Sequence, residues 1–212
     1  MIPYRLNPLG LSGLPYKREL TYLESTGTQK IDTGITFEVS QNFSANVRFA
    51  GVSTRAVVVG SYYGDTNNAF NIEFYPSGGT NYCRAFLRFG PGAQLVDMAK
   101  NSLTLYTPAN VSLSFTSSTG AVRLTVNGTN YDATGTVGTY TANGSVCLFL
   151  DNRPNPVNIA HGIRIYSCSL FKGGVLVREF VPVLDKSGVP CMYDRVSRQF
   201  FYNVGTGDFQ YA

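Results

Sequence analysis

The chain has 212 residues, of which 43% are hydrophobic, with 22 glycines and 10 prolines; it is long enough for one domain to bury roughly 70% of its unfolded surface and too apolar for a disordered chain. Only 14% of its residues are charged, well under the roughly 25% of an average soluble protein, so Ser, Thr, Asn and Gly must cover much of the surface. The net charge of +4 comes from 12 Arg and 5 Lys scattered singly; no basic run tracks a phosphate backbone, so no nucleic-acid partner is expected.

The chain opens with MIPYRLNPLGLSGLPYK, in which Pro3, Pro8 and Pro15 prevent regular structure while Ile2, Tyr4, Leu6, Leu9, Leu11 and Leu14 stay apolar. Such a segment needs a surface to lie on. Residues 1–16 are therefore expected to be an extended docking arm and residues 17–212 the folded domain, the surface being its own domain, another copy in a homo-oligomer or a larger scaffold. The arm has no apolar run of even seven residues, so neither a signal peptide nor membrane insertion is expected, and if Met1 is the native start the usual secretory route is expected to be closed.

Beyond the arm, alternation replaces helical periodicity almost everywhere. FSANVRF puts Phe43, Ala45, Val47 and Phe49 on one face, the period of two that a half-buried strand requires. NIEFYPSGGTNYCRAFLRF reads as a hairpin with a loop from Pro76 to Asn81. If Tyr75 pairs with Tyr82, Glu73 lies opposite Arg84 and Asn71 opposite Phe86. Tyr75, Tyr82, Arg84, Phe86 and Arg88 then form a patch of rings and guanidinium groups suited to a glycan or protein partner. The plainer reading is a solvated face held by the Glu73/Arg84 pair, and the absence of Trp weakens the sugar reading.

Further along, ANVSLSFTSS turns Val111, Leu113 and Phe115 inward, and AVRLTVNGTNY does the same with Val122, Leu124 and Val126 before Asn127-Gly128, a type I′ hairpin dipeptide. SVCLFL and GIRIYSCSLF add two strands, and the latter returns through Lys172-Gly173-Gly174 as VLVREFVPV. Roughly ten to fourteen strands follow from this pattern. With no helix to cover them, one-sided apolar sheets must pack on each other, and no internal repeat points to a propeller. The expected fold is all-β, an antiparallel two-sheet jelly-roll sandwich. Cys83, Cys147, Cys168 and Cys191 show no CxxC or Cys/His spacing and read as buried thiols rather than disulfides.

LTYLESTGTQKIDTGITF at 20–37 and IRIYSCSLFKGGVLVREFVPVLDKSGVPCMYDRVSRQFFYNVGTGDF at 163–209 resemble the opening and closing segments of the laminin-G/concanavalin A-like modules found in gut bacteria and their phages. The resemblance implies the concanavalin-like topology, with first and last segments paired in one sheet so that edges are protected. It implies no ligand, since such modules occur in lectins, adhesins and virion parts. The family's commoner Tyr is Lys30 here, so an aromatic site is not carried over at that position. Relatives of this kind often hold calcium through loop oxygens. Asp65, with Asn67 and Asn68, and Asp151, with Asn152 and Asn155, offer such oxygens but read more directly as Asx turns, so no metal or other cofactor is assigned.

Hydrolases of this fold generally carry two carboxylates on one strand, as in ExDxxE. Glu19, Glu24, Glu38, Glu73 and Glu179 each lack an acidic residue two or four positions on, and His161 has no nucleophile motif beside it and reads as a strand entrance. No catalytic residue is assigned. The leading expectation is a non-catalytic bacteriophage virion surface component, a head-decoration or fibre protein that attaches to a virion scaffold protein and binds host-surface glycans. A lectin-like module of a bacterial cell-surface protein is the alternative, and a glycoside hydrolase with dispersed carboxylates the third reading.

Overall fold

The computed structural model describes residues 13–52, 54–63, 68–89, 96–138, 144–151 and 160–212. Among them the chain forms seventeen strands and no helix. In order these are β1 (Arg18–Glu19), β2 (Leu23–Gly27), β3 (Ile31–Thr36), β4 (Phe43–Gly51), β5 (Ala56–Tyr63), β6 (Asn68–Ser77), β7 (Thr80–Phe89), β8 (Val96–Ser102) and β9 (Ala109–Thr116). Then follow β10 (Ala121–Val126), β11 (Thr129–Thr134), β12 (Ser145–Leu148), β13 (Ala160–Lys172), β14 (Val175–Leu184), β15 (Pro190–Asp194), β16 (Gln199–Phe201) and β17 (Gln210–Tyr211). The count exceeds the expected ten to fourteen because β1, β16 and β17 are too short to register as alternation.

All pairings among the described residues are antiparallel and build two sheets, as the sequence pattern requires. The larger runs β11-β10-β9-β4-β13-β14-β15-β16, with β1, β2 and β17 joined beside it; the smaller runs β3-β12-β5-β6-β7-β8. The core between them takes Phe43, Val47, Phe49, Leu113, Phe115, Leu124 and Val126 from the large sheet and Phe70, Ile72, Phe74, Leu87 and Phe89 from the small one, all buried. Phe37, Phe43, Phe70 and Phe115 meet there with ring centroids 4.9–5.7 Å apart, in the edge-on and tilted arrangements that aromatic quadrupoles favour.

The two terminal motifs are stitches. Gln29 is buried, and its Oε1 accepts from the backbone N–H groups of Thr26 and Gly27 while its Nε2 donates to the carbonyl of Asp208. Asn203 Oδ1 accepts from Lys30 N and Gly205 N, and Asn203 bridges to Ile31 of the small sheet. Gly205 passes so close to Thr28 that a Cβ would sit 1.9 Å from its carbonyl oxygen, which no other residue tolerates. β17 pairs with β2, joining the end of the domain to its beginning. Asp194, fully buried, fixes the following turn by accepting from Val196 N, Ser197 N and the Ser197 hydroxyl. Arg178 Nε reaches across to the Thr33 carbonyl at 3.0 Å and ties the sheets together.

Among the described residues, packing begins at Tyr16, one residue before the expected domain start. Its ring meets Tyr193 edge-on at 5.3 Å within a small second cluster with Val183 and Cys191. Leu14 is exposed, whereas Ile2, Tyr4, Leu6, Leu9 and Leu11 lie outside the described residues. Asp65, Asn67, Asn152 and Asn155 also lie outside them. Asp151 is buried, and among the described residues no three His, Cys, Asp or Glu side chains converge. The four cysteines are free and buried, as read from their spacing. Asn127-Gly128 has positive φ at both residues, 48° and 86°, as a type I′ turn demands.

Candidate functional site

The β6–β7 hairpin is the scaffold of the site. Its strands run further than expected: Ser77 pairs with Thr80 across Gly78-Gly79, whose φ angles of 57° and 80° close the chain in two residues in place of a six-residue loop. The register is the expected one, with Tyr75 opposite Tyr82, Glu73 opposite Arg84 and Asn71 opposite Phe86. Alternation sends Phe70, Ile72, Phe74, Cys83, Ala85, Leu87 and Phe89 into the core. Asn71, Glu73, Tyr75, Tyr82, Arg84, Phe86 and Arg88 are thereby left on the opposite face of the small sheet.

That face is not a loose solvated surface. Glu73 is buried, and its Oε2 accepts from Arg55 Nε at 3.1 Å, Arg55 Nη2 at 2.9 Å and Arg84 Nη1 at 3.2 Å. Arg84 turns its other edge to β8, donating to Asp97 Oδ1 at 2.7 Å and Oδ2 at 2.5 Å. Rings and cations then alternate along the face: Arg55 lies over Tyr75 at 5.2 Å, Arg84 over Tyr75 at 4.6 Å and over Phe86 at 4.9 Å, and Arg88 over Phe86 at 5.9 Å. The hydrogen bonds to Asp97 and the charge of Glu73 outweigh burial and hold Arg84 more firmly protonated than a free arginine. Behind the face, burial and the nearby Glu73 charge push the Cys83 thiol upward, which keeps it from acting as a thiolate.

Arg84 is thus a keystone rather than the ligand-reading guanidinium its sequence position suggests. Its N–H donors serve Glu73 and Asp97, rings lie against it, and it is only 8% exposed. Tyr75, Tyr82, Phe86 and Arg88 are half-buried and line the accessible part of the patch. Tyr82 differs from Tyr75 and Phe86 in having no cation or ring against it among the described residues. Beneath the patch, Asn71 donates to Glu73 Oε1 at 3.4 Å, while its own Oδ1 is buried without a hydrogen bond among the described residues. That oxygen lies against Gly60, where a Cβ would come within 2.6 Å of it, so a glycine is needed to seat the amide.

Sequence reasoning missed Arg55 and Asp97, and placed Asn71 opposite Phe86 without its bond to Glu73. Carboxylates paired along one strand can be read from spacing, whereas Glu73 and Asp97 are brought to a common guanidinium from separate strands. The signal was present in the alternation of β8, but reading it required the β7–β8 register, which is shifted between Tyr82 and Cys83. His161 is the second residue of β13, opposite Thr26, a strand entrance as expected.

No protein-family model matches the chain, and no curated protein matches it. Solved structures do. Mouse laminin α1 chain domains LG4-5 superpose with a TM-score of 0.58 at 8% identity, over 97% of this chain and 52% of that one. The fold is that of the laminin G-like jelly rolls. A putative carbohydrate binding protein from Bacteroides ovatus matches with a TM-score of 0.57 at 13% identity, over 92% of this chain and 60% of that one. The carbohydrate-binding module CBM40 of a Ruminococcus gnavus sialidase, bound to α2,3 sialyllactose, matches with a TM-score of 0.52 at 11% identity, over 76% of this chain and 94% of that one. The chain thus spans about half of the laminin fragment, and the shared property is the jelly-roll architecture.

Proposed function

We propose that the domain is a non-catalytic saccharide-binding module whose ligand lies on the outer face of the β6–β7 hairpin. The observation that carries this reading is the half-buried ring of Tyr82, against which no ring or cation of the described residues lies, beside a patch of aromatic and guanidinium groups held by the Glu73–Arg84–Asp97 network. A pyranose stacks on such a ring at little entropic cost because the surrounding side chains are already ordered. Glu73 and Asp97 do not suit hydrolysis, since Glu73 is buried with Oε2 on Arg55 and Arg84 and Oε1 on the Asn71 amide, and both Asp97 oxygens are held by Arg84. Jelly rolls that bind carbohydrate share the fold and support the reading by analogy.

We further propose that the module is presented on a larger assembly, a phage virion surface rather than a bacterial cell surface, through the apolar residues 1–12. The sequence resemblance to phage and gut-bacterial modules and the proline-restricted, apolar composition of that segment favour this setting. Glycan-array binding by the intact protein tests the first proposal: Tyr82→Ala should abolish retention while leaving the melting temperature within about 2 °C. Silence of the wild type across the array, or reducing sugar released from a polysaccharide, overturns it. For the second, removal of residues 1–12 should abolish oligomerisation or particle attachment without changing domain stability; full-affinity assembly of the truncated chain overturns it.

A further inference from the structure

The opposite outer face, on the large sheet, carries a groove of about 330 Å³ lined by Asn46, Arg48, Asn110, Ser112, Thr125, Ser167 and Ser169, on the side of the sandwich away from the Tyr82 patch. Register places these residues in two transverse rows. Ser169, Asn46, Ser112, Thr125 and Asn130 face one another in turn across β13, β4, β9, β10 and β11. Ser167, Arg48 and Asn110 form the neighbouring row. Neighbouring strands are about 4.8 Å apart, close to the length of one hexose unit, so each strand offers a hydroxyl or amide per sugar along a chain lying across the sheet.

The polar groups of this groove are open to a ligand. Thr125 bonds Asn130 at 2.8 Å, but the side chains of Asn46, Ser112, Ser167 and Ser169 make no hydrogen bond among the described residues. The cations nearby on this face are neutralised: Arg123 by Asp132 at 2.7 Å and Arg164 by Glu24 at 2.7 Å. Arg48 has no such partner among the described residues. It is exposed, its guanidinium rests 4.9 Å over the Tyr166 ring, and none of the described residues lining the groove is a carboxylate. Tyr166 is presented there by a register shift between Ile165 and Ser167, a bulge that aims the ring at Arg48.

We propose that this groove is a second binding site for an acidic saccharide, with Arg48 pairing its carboxylate or sulfate and the rows of Ser, Asn and Thr bonding its hydroxyls. A planar guanidinium backed by a ring presents its N–H fork in a fixed plane, which suits an oxyanion better than a mobile lysine does. With no carboxylate among the described lining residues, the ligand's negative charge meets no like charge in the groove.

Calorimetric titration of the intact protein with oligogalacturonate, a heparin-derived oligosaccharide and a neutral cello-oligosaccharide tests the site. One or both acidic probes should bind, with the neutral one weaker by about tenfold or more, and affinity should fall as salt rises. Binding of only the carboxylated or only the sulfated probe supports the site and identifies its anion. Arg48→Ala should weaken acidic binding by about tenfold or more, and Asn46→Ala with Ser112→Ala should weaken it independently, whereas Tyr82→Ala should leave it unchanged. Failure of both acidic probes, equal binding of the neutral one, or wild-type affinity in both groove variants overturns the proposal. Because Tyr82→Ala acts on the other face, the two sites are read separately, and failure of one leaves the other standing.

Discussion

At the scale of single residues, Arg84 shows how a charged side chain becomes structural. Glu73 is 1% exposed, and burying a carboxylate is tolerable only with charged donors around it. Arg55 supplies two of those donors but is itself partly open to water. Arg84→Ala should therefore destabilise the domain by about 3–5 kcal/mol, largely because Glu73 loses its buried partner. The double change Glu73→Leu with Arg84→Met, which removes both charges and keeps volume, should recover most of that loss. Urea denaturation of the three proteins measures both values. If Arg84→Ala costs no more than the double variant, the network is not what anchors this face.

At the scale of elements, the N-terminal strap links local sequence to pH response. β1 pairs with the far end of β14, and Tyr16 just before it packs on Tyr193 while its hydroxyl donates to Glu19. Burial first, then the Glu19 bond and charge, push the Tyr16 hydroxyl up to about 12, and burial raises the Cys191 thiol in the same cluster to about 12. Both groups are acids whose neutral form the fold favours. Their contribution is complete below their unfolded values, near 10 and 8.5, and is lost as pH rises through about 12. The wild type should lose stability steeply between about pH 9 and 12, with Tyr16→Phe showing a shallower loss; identical profiles would sink the assignment. The strands themselves were legible because alternation over five or more residues marks a half-buried sheet, as FSANVRF and ANVSLSFT do. β1, β16 and β17 were not, since two or three residues carry no period. The hairpin patch was legible for the same reason, its register following from the pairing of Tyr75 with Tyr82. Arg55 lies outside a strand and Asp97 across a register shift, where no local pattern points to them. The large-sheet groove was invisible because outward Ser and Asn residues look like ordinary solvent-facing positions until five strands align them.

At the scale of the whole molecule, stability rests on two sheets closed by their own ends. Leu124 is fully buried at the centre of β10, and Leu124→Ala should cost about 2–5 kcal/mol as the transfer and cavity terms of a filled sandwich core. The C-terminal segment acts differently, because it holds the sheets together rather than filling them. Phe209 is 4% exposed and meets Phe149 at 4.7 Å; Asp208 takes the Gln29 amide, Asn203 bridges to β3, and β17 covers β2. Deleting residues 203–212 thus removes one buried aromatic side chain, Phe209, worth about 2–3 kcal/mol, and uncovers the free edge of β2. Exposed strand edges recruit other chains, so the loss should appear as more than a lower melting temperature. The truncated protein should unfold at a lower temperature that falls further as protein concentration rises, with light scattering marking edge-to-edge association. A single Phe209→Ala substitution should lower the melting temperature alone, since it leaves β17 on β2. If the truncated chain melts reversibly at a concentration-independent temperature, closure by the C-terminal segment does not protect the sheet edge.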